Sequence, residues 1–173
     1  RSSIYIGKWL SALIASTAIL VVFAAITLGN GLYYFPSVPS EFWLSVLFAW
    51  FYLIAVLGFT FFFSSLFKSS SMSILVTAIL FLFAFNIIQL FVANFAQIEP
   101  WFMLSYGGQI IGNILQVPYP PPTSVSSMSP SGSGPTFASY NVAVPEGVAI
   151  IGVYFIITAI LGLVLFERKE FTG

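Results

Sequence analysis

The chain of 173 residues contains no histidine, no cysteine and no aspartate. Without cysteine there are no disulfides and no thiol chemistry. Without histidine or aspartate there is no Ser/His/Asp triad, no histidine proton relay, and little with which to hold a metal. No Gly-rich phosphate loop of the Walker type is present, so the chain has no such route to ATP hydrolysis. Charge is scarce too: 6% of residues are charged, against about 25% in a soluble domain. The five acids are all glutamate, and they balance five basic residues. A net charge of zero gives no sign of a nucleic-acid partner.

Apolar residues make up 59% of the sequence. A chain this apolar needs lipid or neighbouring helices around it. Hydrophobic spans run at about 9–34, 42–67, 72–95 and within 146–173, free of interior charge and proline. Each is long enough for a bilayer core of about 30 Å at a rise of about 1.5 Å per residue. The first exceeds a secretory h-region of roughly 7–15 residues, and no A-x-A-like cleavage site follows it.

Arg1 and Lys8 precede the first span, Lys68 joins the second to the third, and Arg168 and Lys169 follow the fourth. Glu41, Glu99 and Glu146 fall on the other side. The positive-inside rule therefore places both chain ends and the turn at Lys68 in the cytoplasm. The fold class read from the sequence is an all-α integral membrane protein with four transmembrane helices and both ends cytoplasmic. Short outer re-entrant or interfacial helices precede its last span. Those short helices fall in residues 96–117, where "WFMLSYGGQIIGNILQV" has an apolar period but is too short to cross. Residues 118–145 are rich in Pro, Ser and Gly and read as an exposed, extended loop, with polyproline character at Pro120 to Pro122.

Asn86 and Gln89 share one face of the third span at i, i+3 spacing. Amides in hydrocarbon need partners, so that face lines a polar path or makes an interhelical hydrogen bond. Small residues recur at Gly7, Ser11 and Ala15, and again at Thr158 and Gly162, where helices of this chain or of a second copy can approach closely. The run Glu167 to Glu170 reads as an anchor at the lipid phosphates or as a docking point for a cytosolic partner. Glu99 and Glu146 read as solvated, because nothing nearby in sequence completes a catalytic site.

"RSSIYIGKWLSALIAS" joins a basic residue and an amphiphilic step to a long hydrophobic helix. A helix then ends in Ser-Ser-Leu-Phe-Lys, from Ser64 to Lys68, and small residues lead into the next. The last span ends in "LFERKEF". This punctuation resembles ABC-transporter permeases of the exporter-type second class, along most of the chain. The spans resemble the last four of that family's six membrane helices, which implies a fragment of a longer polypeptide. The Pro/Ser/Gly loop is longer than in a typical member.

The resemblance implies a multi-pass permease in the plasma membrane that exports its substrate. It implies two partners besides membrane lipid: a cytosolic ATP-binding subunit and a second permease subunit. It requires no cofactor in this chain. Contacts with the ATP-binding subunit are expected at Arg1, Lys8 and Lys68. An outer gate is expected at Trp101, Tyr106, Gly107 and Gly108. Spans without ionisable groups favour a hydrophobic or amphipathic cargo over an ion. The alternative is a non-transporting accessory or scaffold subunit of a larger membrane complex, whose outer loop docks a partner.

Overall fold

The computed structural model describes residues 2–34, 37–67, 69–127 and 136–170. Arg1, residues 35–36, Lys68 and residues 128–135 and 171–173 lie outside the described residues. Long runs without internal proline, rich in Leu, Ile, Phe and Ala, satisfy their own backbone as helices. Helix α1 spans Ser2–Tyr34 and α2 spans Ser40–Leu66. The third rod is built from α3 (Ser70–Ile79), a π-helical segment (Leu80–Ala84), α4 (Phe85–Phe91) and a second π segment (Val92–Ala96). Two four-residue helices follow, α5 (Leu104–Gly107) and α6 (Ile110–Asn113). Strands β1 (Thr123–Ser127) and β2 (Thr136–Tyr140) come next, and α7 (Val144–Glu170) ends the chain. Among the described residues, four helices are long and apolar enough to cross a membrane: Tyr5–Tyr34, Ser40–Leu66, Ser71–Ala96 and Val144–Phe166. Their charges sit near their ends, at Lys8, Glu41 and Glu146.

The spine is the pair α2 and α7. Small residues bring the two backbones together. A Cβ added at Gly58 would lie 2.9 Å from Thr158 Oγ1, and one at Gly162 would lie 3.4 Å from the Phe62 backbone. Ser65 Oγ donates to the Gly162 carbonyl at 3.0 Å. Such interhelical bonds contribute roughly 0.6–2 kcal/mol in a bilayer. The row at Thr158 and Gly162 is thus a helix contact. The row at Gly7, Ser11 and Ala15 makes no such contact within the chain: Gly7 faces open space, and Ser11 and Ala15 are exposed. Ser11 returns its hydroxyl to its own helix, at the Gly7 carbonyl, 2.9 Å away.

Helix α1 is the most peripheral span. It meets the spine through the Tyr5 ring against Phe61 and Phe166, the Trp9 ring against Phe155, and a Trp50 Nε1 to Thr17 Oγ1 bond of 3.1 Å. Most of its apolar side chains, such as Ile14, Ile19 and Phe23, point outward.

One end of the bundle carries α5, α6 and the hairpin. Here α5 and α6 dip between α2 and α7. Leu104, Tyr106 and Ile110 are fully buried there with Val142 and Ile151. Ser45 Oγ on α2 donates to the Ile111 carbonyl at 2.7 Å.

The 118–145 segment departs from the open loop expected of it, because β1 and β2 pair antiparallel with Thr123 opposite Tyr140. The local signal was "TSVSS" and "TFASY" flanking a Ser/Gly/Pro turn, which is a hairpin composition. Side-chain bonds hold its base. Tyr119 Oη donates to the Val142 carbonyl at 2.5 Å, and Asn141 Nδ2 donates to the Pro121 carbonyl at 2.8 Å.

Candidate functional site

The third rod prepares a polar wall through its π segments. Each π turn inserts a residue and loosens the regular ladder of carbonyls. Asn86 fills that gap. Its Nδ2 donates to the Phe81 and Leu82 carbonyls at 3.3 and 3.0 Å. Asn94 Nδ2 bonds the Leu90 carbonyl at 2.9 Å in the same way. Gln89 differs, because its Oε1 accepts from Ser105 Oγ on α5 at 3.3 Å. So Asn86 bonds within its own helix, and Gln89 ties two elements together.

These residues share a cavity of about 360 Å³ between the third rod, α5 and the hairpin. Asn86, Gln89 and Asn94 form one wall, and Ser105, Gln109 and Tyr140 form the other. Tyr140 is fixed by its own hydroxyl, which donates to the Gln97 carbonyl at 3.0 Å. Gln97 ends the rod in the left-handed region, at φ 54°, and turns the chain toward α5. No charged side chain lines the cavity. Gln109 Oε1 is buried and has no hydrogen-bond partner. Among the described residues no three His, Cys, Asp or Glu side chains converge on a metal position. The site can offer hydrogen bonds and shape, without a nucleophile and base in contact.

The four residues expected at an outer gate divide into two groups. Trp101 is 61% exposed and stands edge-on to Phe102. Both rings border an apolar groove of about 540 Å³ along α2 and α7, with Phe59, Ile150 and Tyr154 among its walls. Tyr154 closes that edge by donating its hydroxyl to the Phe102 carbonyl. Tyr106, Gly107 and Gly108 are packed inside. A Cβ at Gly108 would lie 2.7 Å from the Tyr52 ring, and one at Gly107 would lie 3.0 Å from Ile150 Cγ2. Gly147 on α7 completes the contact, with Ile110 Cγ2 only 2.5 Å from the position of its missing Cβ.

Glu99 is not simply solvated. Glu99 accepts a short hydrogen bond from the fully buried Tyr106 hydroxyl. Burial pushes the Tyr106 phenol well above its ordinary value of 10.0. The bond to Glu99 and the negative charges of Glu99 and Glu146 push it the same way. Tyr119 is also raised, mainly by burial.

Of the residues expected to meet an ATP-binding subunit, Lys8 is exposed near the bundle end opposite the hairpin. Arg1 and Lys68 fall outside the described residues. The sequence pointed to Asn86 and Gln89 but not to Asn94, Ser105, Gln109 or Tyr140. Ser105 and Gln109 do carry a signal, the i, i+4 spacing that puts two polar groups on one face of a short helical stretch. Tyr140 carries none, because it reaches the cavity only through the hairpin.

No curated protein and no solved structure matches the chain. The family described as "ABC-2 family transporter protein" matches residues 1–171, nearly the whole length. Together with four apolar helices able to cross a membrane, that match identifies the chain as a membrane permease-like domain belonging to the ABC-2 transporter family.

Proposed function

We propose that the chain is a transmembrane permease subunit of an ATP-driven ABC transporter that exports a hydrophobic or amphipathic substrate. The family match over residues 1–171 carries this reading. ATP hydrolysis falls to a separate cytosolic ATP-binding subunit, since the sequence has no Walker-type loop. A second permease subunit, identical or homologous, completes the pathway. Closure of the ATP-binding subunits shifts access from one side of the membrane to the other. The positions of Lys8, Lys68, Arg168 and Lys169 support a plasma-membrane topology with both ends in the cytoplasm. Lys8 is exposed where an ATP-binding subunit would dock. Spans with charge only near their ends suit an apolar or amphipathic cargo. A polar cavity at Asn86 and Gln89 and a separate apolar groove at Trp101 and Phe102 both suit a cargo of mixed polarity.

The test is purification of the intact protein in mild detergent, with mass spectrometry of what accompanies it. A stoichiometric subunit carrying a Walker motif, with ATPase activity that responds to added lipid, is the expected result. Recovery of the chain with no ATPase in any detergent or nanodisc would sink the permease assignment and favour the scaffold role.

A further inference from the structure

We infer that the cavity between the third rod, α5 and the hairpin is a binding site for an uncharged, hydroxyl-rich headgroup, such as a single sugar residue. Its inventory of polar atoms is the starting point. Asn86 turns its amide nitrogen onto its own helix, and the carbonyl oxygen takes no part in those bonds. Gln89 uses its carbonyl oxygen on Ser105, and the amide nitrogen takes no part in that bond. Gln109 Oε1 is buried with no donor. Gln109 Oε1 has no surface in the cavity, so the wall presents an acceptor from Asn86 and a donor from Gln89. A hydroxyl both donates and accepts, so vicinal hydroxyls match this mixed set.

Charge narrows the class further. An anionic headgroup would enter a cavity with no Lys or Arg in its lining, and a cationic one would find no carboxylate there. Glu99 is close in sequence, but its carboxylate is engaged by Tyr106. A desolvated ion without a partner is costly, whereas an uncharged polyol can exchange its water bonds for these amides. The volume of about 360 Å³ lies in the usual range of roughly 300–1,000 Å³ for small-molecule sites. Tyr140 contributes an aromatic wall whose hydroxyl is tied to Gln97. The exposed apolar residues Leu90 and Phe91 lie on the same rod, so acyl chains attached to the sugar would have lipid-facing surface beside the site. What the cavity holds is independent of whether the bound molecule is transported.

The experiment uses the intact protein in phosphatidylcholine nanodiscs, freed of alkyl-glycoside detergents because these carry the same headgroup. Thermal unfolding is followed by tryptophan fluorescence, without ATP. Glucosyl-diacylglycerol in the bilayer and methyl glucoside in the aqueous phase separate a lipid-borne from a free sugar. Diacylglycerol and phosphatidylglycerol are the controls. A rise in Tm of about 2–4 °C with either sugar probe is expected, abolished in Gln89→Met and reduced in Asn86→Leu, with neither control reproducing it. An equal shift with diacylglycerol or phosphatidylglycerol, or a full sugar shift retained in both variants, overturns the assignment, as does no shift with either sugar probe.

Discussion

At Tyr106 a buried hydroxyl meets the Glu99 carboxylate, and the pairing sets two measurable responses. Removing the hydroxyl in Tyr106→Phe leaves the acceptor without its donor. A hydrogen bond to a charged group contributes about 1.5–3 kcal/mol, so the variant is expected to unfold earlier on heating in detergent by a comparable loss. The pH response follows from the raised phenol. Its folded value exceeds its ordinary value of 10.0, so the folded state holds the proton more tightly than the unfolded state. Its contribution to stability is complete below pH 10 and falls away as pH rises through the folded value. Wild type is expected to lose stability more steeply above pH 10 than Tyr106→Phe, in a series of unfolding curves at stepped pH. The sequence marked Tyr106 for a gate, but its partner could not be read there. Tyr106 lies seven positions after Glu99, across the turn at Trp101 and Phe102.

Helices in this protein are distinguished by which glycines face a neighbour. Gly147→Ala would push a methyl group into Ile110 Cγ2 and to within 3.0 Å of the Gly107 carbonyl. Overpacking of this kind costs about 1–3 kcal/mol. Gly7→Ala meets nothing within 4 Å, so it is expected to be neutral or slightly stabilising, given the cost of about 1 kcal/mol that glycine imposes within a helix. Comparing the melting temperatures of the two variants tests the placement of α6 against α7, and the order reverses if α1 rather than α7 carries the close contact. Both small-residue rows were visible in the sequence. Which of them is a contact was not, because a small residue records only that approach is sterically allowed. The two π segments were likewise hidden, since "LFLFA" and "VANFA" are ordinary membrane-helix compositions.

For the molecule as a whole, α2 and α7 form a tight pair, and α1 is attached by a few aromatic contacts and one indole bond. Trp50→Phe removes the bond to Thr17 and is expected to cost about 0.5–1.5 kcal/mol. Its signature should be faster hydrogen exchange in α1, with α2 and α7 little changed. The absence of cysteine helps a second experiment, because each introduced cysteine reports alone. Ser37→Cys and Ser139→Cys lie toward the hairpin end, and Ser69→Cys lies in the turn at the opposite end. In intact cells a membrane-impermeant maleimide is expected to label the first two and spare the third. Labelling of Ser69→Cys alone would invert the proposed topology.

Composition by itself determined that this chain is a helical membrane protein. Burying so many apolar residues with so few charges leaves lipid and neighbouring helices as their surroundings, and a lone chain segment in lipid must close its own hydrogen bonds. The number of long apolar helices and the placement of the basic residues were likewise local properties, legible along the sequence. Only the tertiary structure decided what the polar residues do. Asn86 is served by its own loosened helix, Gln89 by α5, and Gln109 Oε1 by no donor. Those fates depend on where α5 and the hairpin come to rest against the third rod. Hydropathy reports how a segment partitions between water and lipid, whereas partnership between amides is fixed by the approach of elements distant in the chain.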